Sequence, residues 1–121
     1  MASVALLGSG LLGEAIGLRL LDQGVELKVW NRTPERCQTL IQEGAQAVPD
    51  LSSLAEGCRT VITVLRDGPV TQAVVRELGD LLGCCLMPMG TMGITEIRSL
   101  AEQVLHQNGH CLEAVSYTHL R

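Results

Sequence analysis

Short apolar runs alternate along the chain with longer stretches in which apolar residues recur at helical spacing. The short runs predict strands at residues 4–7, 25–30, 46–48, 60–65, 84–87 and from 111 onward. The longer stretches predict helices at residues 11–23, 34–43, 51–56, 68–79 and 96–107. Because strands and helices alternate, the pattern predicts an α/β fold, a doubly wound parallel sheet of about six strands with helices on both faces.

Residues that favour helix boundaries stand where this alternation places the helix ends. Gly24 follows the first predicted helix, at a position where glycine commonly terminates a helix. Thr33 and Pro34 suit the N-cap and the first turn of the second predicted helix. Asp50 and Thr95 suit the N-caps of the third and fifth. The short connections indicate right-handed crossovers within one domain.

The composition fits a single compact domain. A length of 121 residues allows one hydrophobic core, and 46% of the residues are hydrophobic. Aromatic residues make up only 2% of the chain and phenylalanine is absent, so Leu, Val, Ile, Ala and Met must fill that core. Such a core suits helices packed on a buried sheet.

Charge and cysteine content narrow the classes of function. The net charge is −4 and the Lys and Arg residues form no basic cluster, so we expect no nucleic-acid partner. The first apolar run ends at Gly8 with no basic segment before it, which argues against a signal peptide or a membrane span. Five cysteines, without CxxC spacing, indicate reduced thiols and a cytoplasmic protein, and the adjacent Cys84 and Cys85 are interpreted as packing residues. No His, Cys and Asp residues show metal-ligand spacing.

A glycine-rich motif joins the first predicted strand to the first predicted helix. It reads Gly8-Ser9-Gly10-Leu11-Leu12-Gly13, a GxGxxG pattern. Between a strand and a helix, Gly8 permits a tight turn, Gly10 lets the backbone approach a pyrophosphate, and Gly13 allows close packing of the helix on the strand. The N–H groups and the positive dipole end of the helix then face the phosphates. We therefore predict a Rossmann-type dinucleotide site on these six residues. The alternative is a glycine-rich turn that binds no ligand.

The end of the second predicted strand bears on the choice of dinucleotide. NAD enzymes usually place Asp or Glu there, on the ribose 2′-hydroxyl, whereas this chain has Asn31, Arg32 and Thr33. Asn31 is neutral, Arg32 offers a charged planar fork to phosphate oxygens, and Thr33 adds a hydroxyl. The triplet favours NADP over NAD as the cofactor. The alternative for Arg32 is a solvated surface side chain.

In combination these motifs resemble one family. The chain resembles the N-terminal NADP-binding domain of the β-hydroxyacid dehydrogenases, in the 6-phosphogluconate dehydrogenase superfamily. The resemblance is carried by residues 5–13, residues 29–33, and Met89-Gly90-Thr91 with the stretch that follows it to residue 114. The family includes 3-hydroxyisobutyrate dehydrogenases and semialdehyde or glyoxylate reductases. The resemblance implies that Leu65 contacts the nicotinamide-side ribose and that Gly90 and Thr91 lie near the nicotinamide and the substrate. From the residues alone, Thr91 is almost as well explained as a helix cap.

The resemblance covers residues 1–114 and fails beyond them. Family members bind the substrate carboxylate through Pro-Val-Ser-Gly after the segment that matches residues 112–114. This chain continues instead with Val115-Ser116-Tyr117-Thr118-His119-Leu120-Arg121. We therefore assign no substrate binding to Ser116. The hypothesis that follows is a truncated reading frame, with residues 115–121 as foreign sequence.

The groups that complete the reaction in the family are missing from this sequence. The family's proton donor is a lysine in a later helix, whereas the single lysine of this chain, Lys28, lies in the second predicted strand. His106, His110 and His119 show no carboxylate partner and are interpreted as structural. The all-helical domain, with which the family closes its substrate cleft and forms homodimers or higher homo-oligomers, is also absent. We therefore assign no catalytic residue and expect this fragment to be inactive alone.

Three functions remain open. The first is the NADP-binding half of an oxidoreductase that transfers hydride between NADP(H) and a small 3-hydroxy acid, or the matching semialdehyde or keto acid. The second is the cofactor domain of an imine reductase, since imine reductases resemble the family in the same half. The third is a non-catalytic dinucleotide-binding interaction module, which the fold alone does not exclude. For the first two, the partner is a small-molecule substrate.

Overall fold

The computed structural model describes residues 3–90 and 92–112, and within these residues it forms one sheet of six strands. The strands are β1 Ser3–Leu7, β2 Leu27–Trp30, β3 Gln46–Ala47, β4 Cys58–Val64, β5 Cys85–Met89 and β6 His110–Cys111. The helices are α1 Leu11–Asp22, α2 Gln38–Gln42, α3 Leu51–Leu54, α4 Gly68–Glu77 and α5 Ile94–His106, with a 3-10 turn at Pro34–Cys37. Thr91, the predicted domain boundary at residue 114 and the tail 115–121 lie outside the described residues.

The order of the strands confirms the predicted doubly wound sheet. Neighbouring strands are parallel and follow the order β3-β2-β1-β4-β5-β6. In the centre, Leu6 of β1 lies between Val29 of β2 and Ile62 of β4. The chain first builds outward from β1 to β3 and then returns to place β4 on the other side of β1. The carboxyl ends of β1 and β4 therefore form the topological switch point, the place where open α/β sheets bind ligands.

Helices cover both faces of the sheet, as predicted, because successive strand residues point to opposite faces. Leu7 of β1 packs in one core with Val75 of α4 and Leu100 of α5. The neighbouring Leu6 packs in a second core with Leu40 of α2. All five side chains are fully buried. Since burying one such side chain contributes roughly 1.5–3 kcal/mol, the two aliphatic layers hold the sheet between its helices without a large aromatic component.

Two of the predicted helix boundaries are confirmed. Gly24 follows α1 with a φ of +82°, the left-handed conformation that terminates helices and that glycine adopts without strain. Asp50 precedes α3, and its carboxylate accepts a hydrogen bond from the backbone N–H of Ser52 over 3.1 Å.

Of two further boundaries, one differs from the prediction and one agrees with it in position but lacks a side-chain cap. The prediction that Thr95 caps the last helix is wrong, because α5 already begins at Ile94 with Gly93 as its N-cap. The Glu96 carboxylate accepts a hydrogen bond from the Gly93 N–H over 2.9 Å, so a glutamate in the first turn fixes this helix start. As predicted, Thr33 is the N-cap of the next helical segment and Pro34 is its first residue, but the Thr33 side chain makes no capping hydrogen bond. That segment opens as a 3-10 turn, which is common at helix N-termini, before α2 begins.

Among the described residues, no helix has both the length and the apolar character that crossing a membrane would require.

Candidate functional site

The sequence-predicted site residues within the described part of the chain lie together at the carboxyl edge of the sheet. The glycine-rich loop (residues 8–13) follows β1, Asn31 to Thr33 follow β2, Leu65 follows β4, and Gly90 follows β5. This edge contains the switch point between β1 and β4. The structure therefore places these residues in one region, and their roles in binding stay predictions.

Gly8 sits where a side chain has no room. Its φ is +101°, and a Cβ added to it would lie 2.2 Å from the carbonyl oxygen of Val64 on β4. Its N–H donates a hydrogen bond to the carbonyl of Trp30 on β2 over 2.8 Å. The turn after β1 is therefore held between the two neighbouring strands, and only glycine fits there.

Gly13 and Gly10 serve different needs within the loop. A Cβ added to Gly13 would lie 2.2 Å from the carbonyl oxygen of Gly8, so α1 crosses the loop at backbone contact distance. A Cβ added to Gly10 would meet no atom within 4 Å. Neither the backbone nor a neighbouring side chain demands glycine at this position. The open space in front of Gly10, at the N-terminus of α1, fits the approach of a pyrophosphate to the backbone.

Asn31 fastens the glycine-rich loop to the end of β2. Its Oδ1 accepts a hydrogen bond from the backbone N–H of Ser9 over 3.0 Å, and its Nδ2 donates one to the carbonyl of Thr33 over 2.9 Å. On the other side of Ser9, the Oγ and the Sγ of the buried Cys37 lie 3.7 Å apart. Sequence reasoning treated Asn31 only as a neutral residue beside the ribose. The contact with Ser9 spans 22 positions and leaves no signal in the local sequence.

Two exposed arginines line grooves, one at the end of β2 and one beside the glycine-rich loop. Arg32 lines a groove of about 490 Å³ together with Trp30 and Pro34. Arg36 lines a neighbouring groove of about 290 Å³ together with Ser9 and Gly10 of the loop. Sequence reasoning did not identify Arg36, which lies in the 3-10 turn that follows Thr33. Glu35 lines both grooves and Glu14 lines the second, so two carboxylates accompany the two guanidinium groups.

Two large apolar side chains stand at the start of α1. Leu11 is 93% exposed and Leu12 is 49% exposed. Both follow Gly10, at the end of the helix whose N–H groups face the open space. The predicted cofactor site is therefore bordered by exposed apolar surface as well as by the arginines.

Leu65 lies between the loops that follow β1 and β5. A Cβ added to Gly8 would lie 3.3 Å from Cδ2 of Leu65, and a Cβ added to Gly90 would lie 3.5 Å from its carbonyl oxygen. Gly90 has a φ of +107°. The structure thus brings together two of the three residues that the resemblance assigns to the nicotinamide side. The third, Thr91, lies outside the described residues.

Two of the titratable side chains that sequence reasoning set aside, those of Lys28 and His106, lie within hydrogen-bond distance of backbone carbonyls. The Nζ of Lys28 donates a hydrogen bond to the carbonyl of Glu56 over 2.6 Å, just before β4 begins. The Nδ1 of His106 lies 2.8 Å from the carbonyl oxygen of Glu102 in its own helix. His110 is exposed on β6, and His119 lies outside the described residues.

Two buried cysteines lie at the opposite edge of the sheet, near the amino ends of β4 and β5. The Sγ of Cys84 donates a hydrogen bond to the carbonyl of Cys58 over 3.1 Å. Burial raises the pKa of both thiols, and the nearby Asp80 carboxylate raises that of Cys84 further. The thiols are therefore protonated at neutral pH, as packing residues should be. Within the described ranges, no group of three or more His, Cys, Asp or Glu side chains could hold a metal ion.

Comparison with known proteins places the chain in a family. Residues 3–116 match the model for the NAD binding domain of 6-phosphogluconate dehydrogenase. The chain is 30% identical over 116 residues to the human cytokine-like nuclear factor N-PAC, an alignment that covers 92% of this chain and 21% of that protein. It is 28% identical over 115 residues to the glyoxylate/succinic semialdehyde reductase 1 of Arabidopsis thaliana, covering 91% of this chain and 40% of the reductase.

A solved structure agrees with this assignment. The imine reductase of a Pseudomonas species superposes with a TM-score of 0.85 and 31% identity, over 91% of this chain and 39% of the reductase. The chain thus spans less than half the length of each of these three proteins. The resemblance to the 6-phosphogluconate dehydrogenase superfamily is confirmed. The protein belongs to the family of the NAD binding domain of 6-phosphogluconate dehydrogenase, and its sheet is an NAD(P)-binding Rossmann domain of the dehydrogenase and reductase class.

Proposed function

We propose that the protein is the NADP-binding half of an oxidoreductase that transfers hydride between NADP(H) and a small 3-hydroxy acid, or the matching semialdehyde or keto acid. One observation carries the choice of cofactor. The end of β2 bears no carboxylate but bears Asn31, Arg32 and Thr33, beside the loop whose Gly10 faces open space. The name of the plant relative, a glyoxylate and succinic semialdehyde reductase, supports the substrate class.

Each part of the site has a role in this proposal. The pyrophosphate lies in front of Gly10, against the N-terminus of α1, with Leu11 and Leu12 beside it. Leu65, Gly90 and Thr91 border the nicotinamide and the substrate. When bound, the reduced nicotinamide supplies the hydride. The residues of this chain bind the dinucleotide and orient it, and none of them is assigned a proton-transfer role.

Charge favours NADP at the adenosine end. The 2′-phosphate that distinguishes NADP from NAD carries negative charge, which a carboxylate at the end of β2 would repel. Arg32 and Arg36 balance the carboxylates of Glu14 and Glu35 in the two adjoining grooves, so the support for NADP is the absence of a carboxylate at the end of β2 and the presence of two guanidinium groups. Guanidinium groups also match phosphate oxygens in geometry, because they donate paired hydrogen bonds.

A titration of the chain with NADPH and NADH tests the cofactor assignment. Trp30 is the single tryptophan, lies two residues before Arg32 and is partly buried, so energy transfer from it to the reduced nicotinamide reports binding. We expect NADPH to bind at least about tenfold more tightly than NADH, the difference that 1.4 kcal/mol provides. Arg32→Ala and Arg36→Ala should each weaken NADPH and leave NADH unchanged.

Arg19→Ala is the matched control for both variants, because Arg19 is an exposed arginine in the last turn of α1, far along the helix from the loop. Equal affinity of the wild-type chain for NADPH and NADH would refute the assignment of NADP. A loss of NADPH binding in Arg19→Ala equal to that in Arg32→Ala would show a general charge effect instead of a 2′-phosphate site.

The proposal extends to the longer parent protein and its setting. The parent is a cytoplasmic homodimer or higher homo-oligomer that acts on a small molecule and has no nucleic-acid or membrane partner. Buried thiols at Cys37, Cys58 and Cys84 support a reducing compartment. The 121 residues alone bind NADP(H) without turnover, since the described carboxyl edge carries no lysine.

Two further functions have specific support. The 31% identity and the TM-score of 0.85 to an imine reductase favour imine reduction as the second candidate. The 30% identity to a protein named as a nuclear factor favours a dinucleotide-binding module without catalysis. Assays of the parent protein with glyoxylate, succinic semialdehyde and a cyclic imine discriminate the three. Turnover of the imine alone selects the second, and NADPH binding without any turnover selects the third.

A further inference from the structure

Glu96 joins the two loops that border the nicotinamide side of the proposed site. One is the loop of residues 65–67, between β4 and α4, and the other is the loop of residues 90–93, between β5 and α5. From the first turn of α5, the Oε1 of Glu96 accepts a hydrogen bond from the N–H of Gly93 over 2.9 Å. The carboxylate thus holds the last residue of the second loop.

The same side chain packs on the first residue of α4. A Cβ added to Gly68 would lie 2.6 Å from Cδ, 2.7 Å from Oε2 and 3.0 Å from Cβ of Glu96. Gly68 is buried and its φ is not in the left-handed region, so the backbone conformation does not call for glycine. The Glu96 side chain is what fills the space that a larger residue at position 68 would need.

Hydrogen bonds at Asp67 fix the loop before α4. Glu96 therefore packs against a segment that is itself held in place. The Oδ1 of Asp67 accepts a hydrogen bond from the N–H of Val70 over 2.9 Å. Its carbonyl accepts one from the hydroxyl of the buried Thr71 over 2.7 Å. Glu96 therefore ties the loop of residues 90–93 to a capped helix start.

Electrostatics favours a carboxylate at this point. Glu96 lies in the first turn of α5 and against the first residue of α4, so the positive dipole ends of two helices face it. A neutral side chain of similar shape would keep the hydrogen bond to Gly93 and lose this attraction. The position therefore accepts glutamine better than alanine.

We infer that Glu96 is a positioning residue for the nicotinamide end of the cofactor, because it holds the loop that carries Gly90 against the loop that carries Leu65. The inference rests on the proposed function, since it assigns the wall between these loops to the nicotinamide. Glu96 contacts the loops and not the cofactor. Its loss should therefore affect the nicotinamide end selectively and leave the adenosine end intact.

The test compares NADPH with adenosine 2′,5′-bisphosphate, which carries the 2′-phosphate end and lacks the nicotinamide. Glu96→Ala removes the hydrogen bond to Gly93, and Gly68→Ala pushes the Glu96 side chain away from it. We expect either variant to weaken NADPH about fivefold, the effect of one hydrogen bond of ~1 kcal/mol, and to leave the bisphosphate unchanged. The double variant should resemble the single ones, since both changes break the same contact. Glu96→Gln should bind NADPH nearly as the wild type does.

Hydrogen exchange supplies a readout that needs no ligand. In Glu96→Ala, the amide of Gly93 should exchange about fivefold faster than in the wild-type chain. Glu102→Ala is the control, because Glu102 is an exposed glutamate on the same helix, and it should leave Gly93 unchanged. Unchanged exchange at Gly93 in Glu96→Ala, or equal weakening of NADPH and the bisphosphate, would overturn the inference. If the wild-type chain bound neither compound, the proposed function would fail, and the exchange at Gly93 would still decide whether Glu96 holds the loop.

Discussion

The side-chain oxygen of Asn31 accepts a hydrogen bond from the backbone N–H of Ser9 over 3.0 Å, which ties the end of β2 to the loop after β1. The nitrogen of the same amide is used as well, since it donates to the carbonyl of Thr33. A residue at position 31 must therefore accept at one atom and donate at another, and of the common neutral side chains asparagine has that combination at this length. Asn31 thereby fixes the position of Ser9 in the glycine-rich loop.

Replacing Asn31 by Asp should change cofactor preference. The carboxylate can still accept from Ser9, but it cannot donate to Thr33, and it adds a negative charge near Arg32 and Arg36. We expect Asn31→Asp to weaken NADPH by at least about tenfold relative to NADH, measured by titration with each cofactor. Gln42→Glu is the control, since it adds the same charge at an exposed position on α2. An NADPH-to-NADH affinity ratio that stays at the wild-type value would contradict the placement of the 2′-phosphate.

Replacing Gly13 by alanine should destabilise the fold more than replacing Gly10 by alanine. In Gly13→Ala the new methyl group meets the Gly8 carbonyl oxygen at 2.2 Å, so the backbone must move. We expect a loss of folding free energy of about 1–3 kcal/mol, as for other overpacked sites. In Gly10→Ala the methyl group meets no protein atom within 4 Å, so stability should fall by less than about 1 kcal/mol.

NADPH affinity provides a second test of Gly10. The methyl group of Gly10→Ala occupies the space proposed for the pyrophosphate, so NADPH affinity should fall sharply in a protein that still folds. Urea unfolding gives the stability of each variant, and titration gives its affinity. Full NADPH affinity in Gly10→Ala would show that the pyrophosphate does not approach the backbone there.

The sequence predicted the architecture well because alternation of strands and helices is a local signal. Six strands, their parallel order and the two covered faces all follow from runs that can be read directly, such as residues 60–65, although the observed β4 is Cys58–Val64. The start of α5 could not be read in the same way. Thr95 has a good capping side chain, but the helix begins two residues earlier than predicted, at Ile94, because Glu96 supplies the hydrogen bond to Gly93.

The candidate site was predictable where glycine positions decide it and less so where distant residues meet. Gly8 and Gly13 stand at backbone contact distance from other segments, as the motif predicts. The contact of Glu96 with Gly68 joins residues 28 positions apart, and no local sequence pattern around either residue predicts it. Tertiary packing of this kind becomes visible only when the strands have been placed side by side.

The buried thiols should make stability depend on alkaline pH. Desolvation raises the pKa of Cys58 and Cys84 above the ordinary value of 9.0. Above that value the unfolded chain releases thiol protons that the folded chain retains, so the unfolded state binds fewer protons and folding stability falls as pH rises. Below it, both states keep the protons and the thiols contribute no pH dependence. The free energy of unfolding, measured in urea from neutral pH to about pH 10, should therefore decline at the alkaline end.

A variant without the two thiols provides the control for this decline. Cys58→Ala combined with Cys84→Ala lowers stability at neutral pH, because it removes buried volume and the hydrogen bond from Cys84 to the Cys58 carbonyl. Its stability should nevertheless decline less steeply at alkaline pH. If both proteins lost stability with the same slope, other groups would be responsible.

Lys28 should be a stabilising residue and not a proton donor. Its Nζ donates to the Glu56 carbonyl at the amino end of β4, whereas Leu65 borders the proposed nicotinamide site beyond the other end. The strand between them carries the chain about 20 Å at ~3.3 Å per residue. Lys28→Met should therefore cost roughly 1 kcal/mol of folding stability through the lost hydrogen bond and leave NADPH affinity unchanged. Neither the wild-type chain nor the variant should oxidise NADPH with glyoxylate or succinic semialdehyde, as followed by nicotinamide absorbance. If the wild-type chain turned over substrate and Lys28→Met abolished that turnover, Lys28 would be a proton donor at the amino edge of the sheet. That result would refute the proposal that this domain binds the dinucleotide and supplies no proton donor.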